Sequence, residues 1–144
     1  MRYLGIDYGT IRTGLAVSDP TNTFARELSI IPTNDEMFGI IQDYILEFDI
    51  ECIVVGKPLS VRFSRVTEQT ECVVSFVKQL QLNVSIDIVY ENERFTSKII
   101  HQEHQQEKNK PKNIDSLSAC LILQSYLDKR DSVRHETEGR RHGI

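Results

Sequence analysis

No stretch of this 144-residue chain stays apolar long enough to cross a bilayer: charged or polar residues break every apolar run within about ten positions, against the roughly 20 that a spanning helix needs. The opening Met1-Arg2-Tyr3-Leu4-Gly5 leads straight into a strand-like segment, without the apolar core and small-residue cleavage site of a secretion signal. A cytoplasmic protein with no membrane partner is expected. Cysteine is scarce too. Cys52, Cys72 and Cys120 are odd in number, far apart and each set among apolar residues, which argues for buried thiols rather than a disulfide framework or a zinc site. Positive charge is also short. The 17 Lys and Arg are outnumbered by 21 Asp and Glu, leaving a formal charge of −4. That balance excludes a grip on nucleic acid by bulk electrostatics, so any such binding has to be local and metal-assisted. No internal repeat is present.

What the chain does have is a 40% hydrophobic content at a length suited to one core. We expect a single domain over residues 1–128 and a charged, disordered tail over 129–144. Residues 2–7 and 14–18 are short apolar runs flanking Gly9-Thr10-Ile11-Arg12, which predicts two strands joined by a tight turn. A third strand is predicted within 25–32. Over 34–49 the apolar positions Met37, Ile40, Ile41, Tyr44, Ile45 and Phe48 have helical three-four spacing, with Thr33 and Glu36 as a possible capping box. Cys52-Ile53-Val54-Val55-Gly56 is apolar throughout, as a central parallel strand covered on both faces should be, and it ends at Lys57-Pro58. Further helices are predicted over 65–82, 96–106 and 115–127, a fifth strand over 86–90, and a polar, lysine-rich loop over 105–113. The order implies an α/β fold: a five-stranded mixed sheet, three antiparallel strands and then parallel ones, flanked by helices.

Asp7 ends an apolar strand and is followed closely by Gly9, so its carboxylate emerges at the strand's carboxyl edge, where open α/β sheets place ligands. An aspartate bonding its own turn is the plainer alternative. The full stretch Leu4-Gly5-Ile6-Asp7-Tyr8-Gly9-Thr10-Ile11-Arg12-Thr13-Gly14-Leu15-Ala16-Val17-Ser18-Asp19 is more specific and resembles the opening hairpin of the YqgF/RuvX family. Three more segments match in order: Val54-Val55-Gly56-Lys57-Pro58, Asn92-Glu93-Arg94-Phe95-Thr96-Ser97, and the run from Asp115 through Ser118-Ala119-Cys120 to Leu127.

The resemblance implies an RNase H-like fold, kinship with Holliday-junction resolvases, and a nuclease that processes the 5′ end of the precursor of small-subunit (16S) ribosomal RNA during ribosome biogenesis. It places the family's acidic positions on Asp7, Glu93 and Asp115. Three such carboxylates would suit a pair of hard divalent cations, magnesium or manganese, which activate a water and stabilise the departing oxygen of a phosphodiester. The fifth strand should stand two places from the first, leaving roughly 10 Å for Glu93 to close through its loop. Glu93 beside Arg94 also suits a solvated loop pair, and Asp115 suits a helix N-cap.

Arg12, Lys57, Arg94 and Lys98 lie in or beside the motifs and could pair with phosphates. Thr96 and Ser97 could receive a phosphate at a helix start or simply cap it. His101 and His104, three apart on a polar segment, fit exposed residues better than a metal site. Three departures from the family stand out. Asn92 replaces the usual aspartate and Ile11 an often basic residue, while the segment after Pro58 lacks the usual glycine.

Structured RNA is therefore the expected partner, with branched DNA as the alternative substrate, and a monomer or homodimer as the working unit. A non-catalytic RNA-binding assembly factor is the other alternative. Gly5-Ile6-Asp7-Tyr8-Gly9-Thr10 also resembles the first phosphate loop of actin- and Hsp70-type ATPases, but those need two lobes, and no second Asp-x-Gly loop occurs here.

Overall fold

The computed structural model describes residues 1–57, 68–92 and 114–142, with side chains for 1–57, 70–92 and 117–131. Five strands form one sheet: β1 (Arg2–Asp7), β2 (Arg12–Ser18), β3 (Ala25–Pro32), β4 (Ile50–Lys57) and β5 (Asp87–Asn92). Their spatial order is β3-β2-β1-β4-β5. β1, β2 and β3 pair antiparallel, and β1, β4 and β5 pair parallel. This is the mixed sheet the sequence implies. β4 lies between β1 and β5, which explains its unbroken Val-Ile run: it must be apolar on both faces.

The β1–β2 hairpin turns through residues 8–11. A Cβ on Gly9 would stand 2.3 Å from the Arg12 carbonyl oxygen, so the turn closes only with glycine there. Alternation along the strands divides the core in two. Leu4, Ile6, Leu15, Ile53 and Val55 face α1 (Met37–Phe48) and α2 (Glu68–Asn83), where Ile41, Phe76 and Leu80 cover them. Tyr3, Ala16, Cys52 and Val54 face the last helix, α3 (Ile114–His142), and meet Ala119, Ile122, Leu123 and Leu127.

Two local features differ from the sequence reading. The Thr33–Glu36 capping box does not form, because the Thr33 hydroxyl instead donates to the Gly9 carbonyl at 2.6 Å and ties α1's entry to the hairpin turn. Asn34 takes over part of the work, its Oδ1 accepting the Glu36 N–H at 2.9 Å. The last helix does not stop at residue 127. It runs to His142, well past Leu127, the final buried apolar residue of the helix among those described. The helix predicted over 96–106, the loop over 105–113 and the segment after Pro58 lie outside the described residues.

Candidate active site

Asp7 is the last residue of β1 and pairs with Gly14 of β2. On its other side the β1–β4 pairs end at Ile6 and Val55, and one further step of that register sets Asp7 beside Gly56, which pairs with Glu91 of β5. Asp7 therefore stands in a row with a glycine on either side. Alternation from Tyr3 and Gly5 puts Asp7 on the face covered by α3.

Gly5 sets how closely that helix approaches. A Cβ there would lie 2.8 Å from Leu123 Cβ and 2.9 Å from the Ala119 carbonyl oxygen, so α3 rests directly on the β1 backbone. Farther along the helix, Tyr126 meets Tyr3 edge-on at 5.9 Å and the Arg130 guanidinium lies 4.9 Å from the Tyr3 ring centre. Residues 126 and 130 thus sit at the start of β1 and residues 119 and 123 at its middle. The helix runs antiparallel to β1, with its N-terminus toward the end that carries Asp7. Asp115 is the second residue of α3, one turn before Ala119, or about 6 Å along the axis. The fold thus brings the backbone of Asp115 toward the edge that carries Asp7.

Glu93 follows Asn92, the last residue of β5, directly in sequence, and itself lies outside the described residues with Arg94, Thr96, Ser97, Lys98, His101 and His104. β5 is two places from β1, as expected, a span of roughly 10 Å at about 4.8 Å per strand. Arg12 opens β2 at the same edge, exposed, and alternation with Gly14 and Ala16 places it on the α3 face two residues beyond Asp7's partner. Lys57 differs. It shares the opposite face with Val55, and its ammonium rests 4.9 Å from the Tyr90 ring centre.

One carboxylate at this edge escaped the sequence reading. Glu91, only 5% exposed, lies on the α3 side of β5 and is held by the Lys129 ammonium, with the Ser125 hydroxyl 3.5 Å away. It shares the row of Asp7 across Gly56. Its signal was present in the sequence, since Glu91 alternates with the apolar Val89 on one face of a strand, but an acidic residue in an edge strand reads as solvent-facing until a helix is known to cover it. Among the described residues no group of three or more His, Cys, Asp or Glu side chains is gathered for a metal.

An antiparallel hairpin leading into parallel strands, an acidic residue at the end of the first strand and a closing helix directed at it define an RNase H-like fold of the resolvase type. Thermus thermophilus RuvC in complex with a Holliday junction substrate superposes with a TM-score of 0.59 at 15% identity, over 90% of this chain and 96% of that one. The fowlpox virus Holliday junction resolvase gives 0.51 at 13% identity, over 90% and 99%. The model of one family, described as "RuvX: Holliday junction resolvase", matches residues 1–129, and the chain belongs to that family. Relatives named "Putative pre-16S rRNA nuclease" occur in Sulfurihydrogenibium sp., 40% identical over 132 residues (89% of this chain, 90% of that protein), and in Bacteroides fragilis, 34% identical over 136 residues (90% and 97%).

Proposed function

We propose that this protein is a metal-dependent nuclease that processes the precursor of 16S ribosomal RNA, working at the carboxyl edge of β1. The observation that carries the reading is the position of Asp7: at a strand end, between Gly14 and Gly56, on the face toward which Gly5 lets the start of α3 descend. The names of its relatives supply the substrate.

The residues fit a hard divalent cation. The Asp7 carboxylate offers oxygen donors at the strand end, and Glu93 and Asp115 are the same donor type on the two chain segments adjoining this edge. Magnesium or manganese held there, as one ion or two, would supply an activated water and charge neutralisation at the leaving oxygen. Asp7 fixes the reaction to the end of β1. Arg12, on the same face, is placed to pair with a phosphate, and Arg94, Thr96 and Ser97 act as phosphate contacts after Glu93. Lys57 reaches phosphate only from the other side of the edge, since Tyr90 holds it there. No described helix is long and apolar enough to cross a membrane, and we assign the protein to the cytoplasm.

The test is cleavage of a labelled 16S precursor by the full chain with magnesium, with manganese and with EDTA, beside Asp7→Asn. Metal-dependent cutting that falls at least 100-fold in Asp7→Asn is expected. Equal cutting by both proteins removes Asp7 from the reaction. A four-way DNA junction in parallel decides the substrate, because the family's description and the RuvC likeness favour branched DNA as the second reading. Binding of the precursor without any cutting, unaffected by Asp7→Asn, would instead identify a non-catalytic assembly factor.

A further inference from the structure

The end of β1 presents a second surface. Asp7 belongs to the α3 face, but the next residue, Tyr8, packs with the core on the α1–α2 side. Its ring stacks on Phe76 at 4.6 Å between centres and 16° between planes, and Phe38 lies 6.0 Å from Phe76 at 25°. These rings border a cavity of about 740 Å³ between the β1–β2 turn, α1 and α2, within the size range of small-molecule sites.

The described part of the wall disfavours phosphate. Thr10, Asn34, Ser75 and Gln79 offer hydrogen-bonding groups, Asp35 and Glu71 add carboxylates, and among the described residues the lining includes no lysine or arginine. Two carboxylates repel an anion and accept hydrogen bonds from an amine. Aromatic rings favour a flat, uncharged partner. A group with a π-face, a hydrogen-bonding edge and an exocyclic amine meets all three conditions.

We propose that this cavity takes one unpaired, amine-bearing nucleobase, adenine, cytosine or guanine, from the strand whose phosphodiester lies at Asp7. The proposal rests on the nuclease reading for the presence of a nucleic-acid strand. Because Asp7 and Tyr8 are consecutive, their Cα atoms are about 3.8 Å apart, and a phosphate and a nearby base fall naturally on the two faces of one strand end. The cavity thus selects single-stranded or splayed substrate beside the cleavage point, since a base paired in a duplex cannot enter it.

The test uses 2-aminopurine riboside, which has no phosphate, needs no metal and loses fluorescence when it stacks. Titrated with the full chain in EDTA, it is expected to show saturable quenching. Asp7→Asn keeps that quenching. Ser75→Arg, a change at an exposed site on α2, fills the cavity mouth and weakens binding about tenfold or more, the scale of one lost base–aromatic stack. Adenosine and cytidine compete, whereas ribose 5-phosphate, with sugar and phosphate but no base, does not. Absence of saturable quenching, equal quenching by Ser75→Arg, or displacement by ribose 5-phosphate overturns the proposal. Quenching in a chain that cuts nothing leaves the base site standing and removes the nuclease reading. Asp7-dependent cutting without quenching does the reverse.

Discussion

At the scale of single residues, Gly5 carries the largest consequence for its size. Any side chain there drives into Leu123 Cβ and the Ala119 carbonyl, and a backbone oxygen at 2.9 Å cannot rotate away. Gly5→Ala should therefore lift α3 from β1. The cost is about 1–3 kcal/mol from overpacking, partly offset by the better strand propensity of alanine. Urea unfolding reads the stability loss, and the cleavage assay should show activity falling further than the folded fraction, because the start of α3 moves relative to Asp7. Unchanged stability would mean that the helix does not rest on the strand as described. Cys52 is a second residue with a definite signature. Burial, then the charges of Asp87 and Glu51, push its thiol from 9.0 up to about 11. A raised folded-state value means that this group's contribution is fully present below pH 9 and is lost as pH rises toward 11, where the unfolded chain gives up its proton first. Native Cys52 should resist a thiol reagent at pH 8, and between pH 9 and 11 the wild type should lose more stability than Cys52→Ala.

At the scale of elements, the strands were legible as short segments: β1 falls on a predicted apolar run, β3 on the predicted 25–32 window and β4 on a β-branched apolar run whose parallel burial follows from its composition alone. Caps and ends were not legible, because tertiary partners decide them. Thr33 matches a capping box in sequence yet bonds the hairpin turn. The charged residues after Leu127 look like a tail until Glu91, buried on β5, supplies a partner for Lys129 on the extended helix. That pair yields a prediction for α3. Removing the ammonium leaves a 95%-buried carboxylate uncompensated, but Lys129 itself is 65% exposed, so water can replace part of the contact. Lys129→Ala should cost about 1–3 kcal/mol, below the full cost of breaking a buried pair. The Lys129→Ala, Glu91→Gln double variant should recover part of that loss in urea unfolding. A double variant no more stable than Lys129→Ala would show that the pair is not coupled.

At the scale of the whole molecule, Asp7 and its glycine neighbours were readable as a strand end followed by a turn, but the row joining Asp7, Gly56 and Glu91 exists only once β4 is inserted between β1 and β5. No local pattern encodes that neighbourhood. The same scale governs how the protein meets RNA. With a net charge of −4, the molecule as a whole repels a polyanion, and attraction is left to the cations at one edge: Arg12 and Lys57 in the structure, Arg94 by sequence. Three contacts to single-stranded phosphate, at about 0.7 each, correspond to a log–log salt slope of about −2. Affinity of Asp7→Asn for a single-stranded precursor fragment, measured from 50 to 300 mM salt, should follow that shallow slope, and Arg12→Ala should reduce it by about 0.7. A slope near −6 would require a broad basic surface. That outcome would move RNA binding away from the β1 edge to another face of the molecule, and an unchanged slope in Arg12→Ala would remove Arg12 from the phosphate contacts while leaving the metal-centred reading of Asp7 intact.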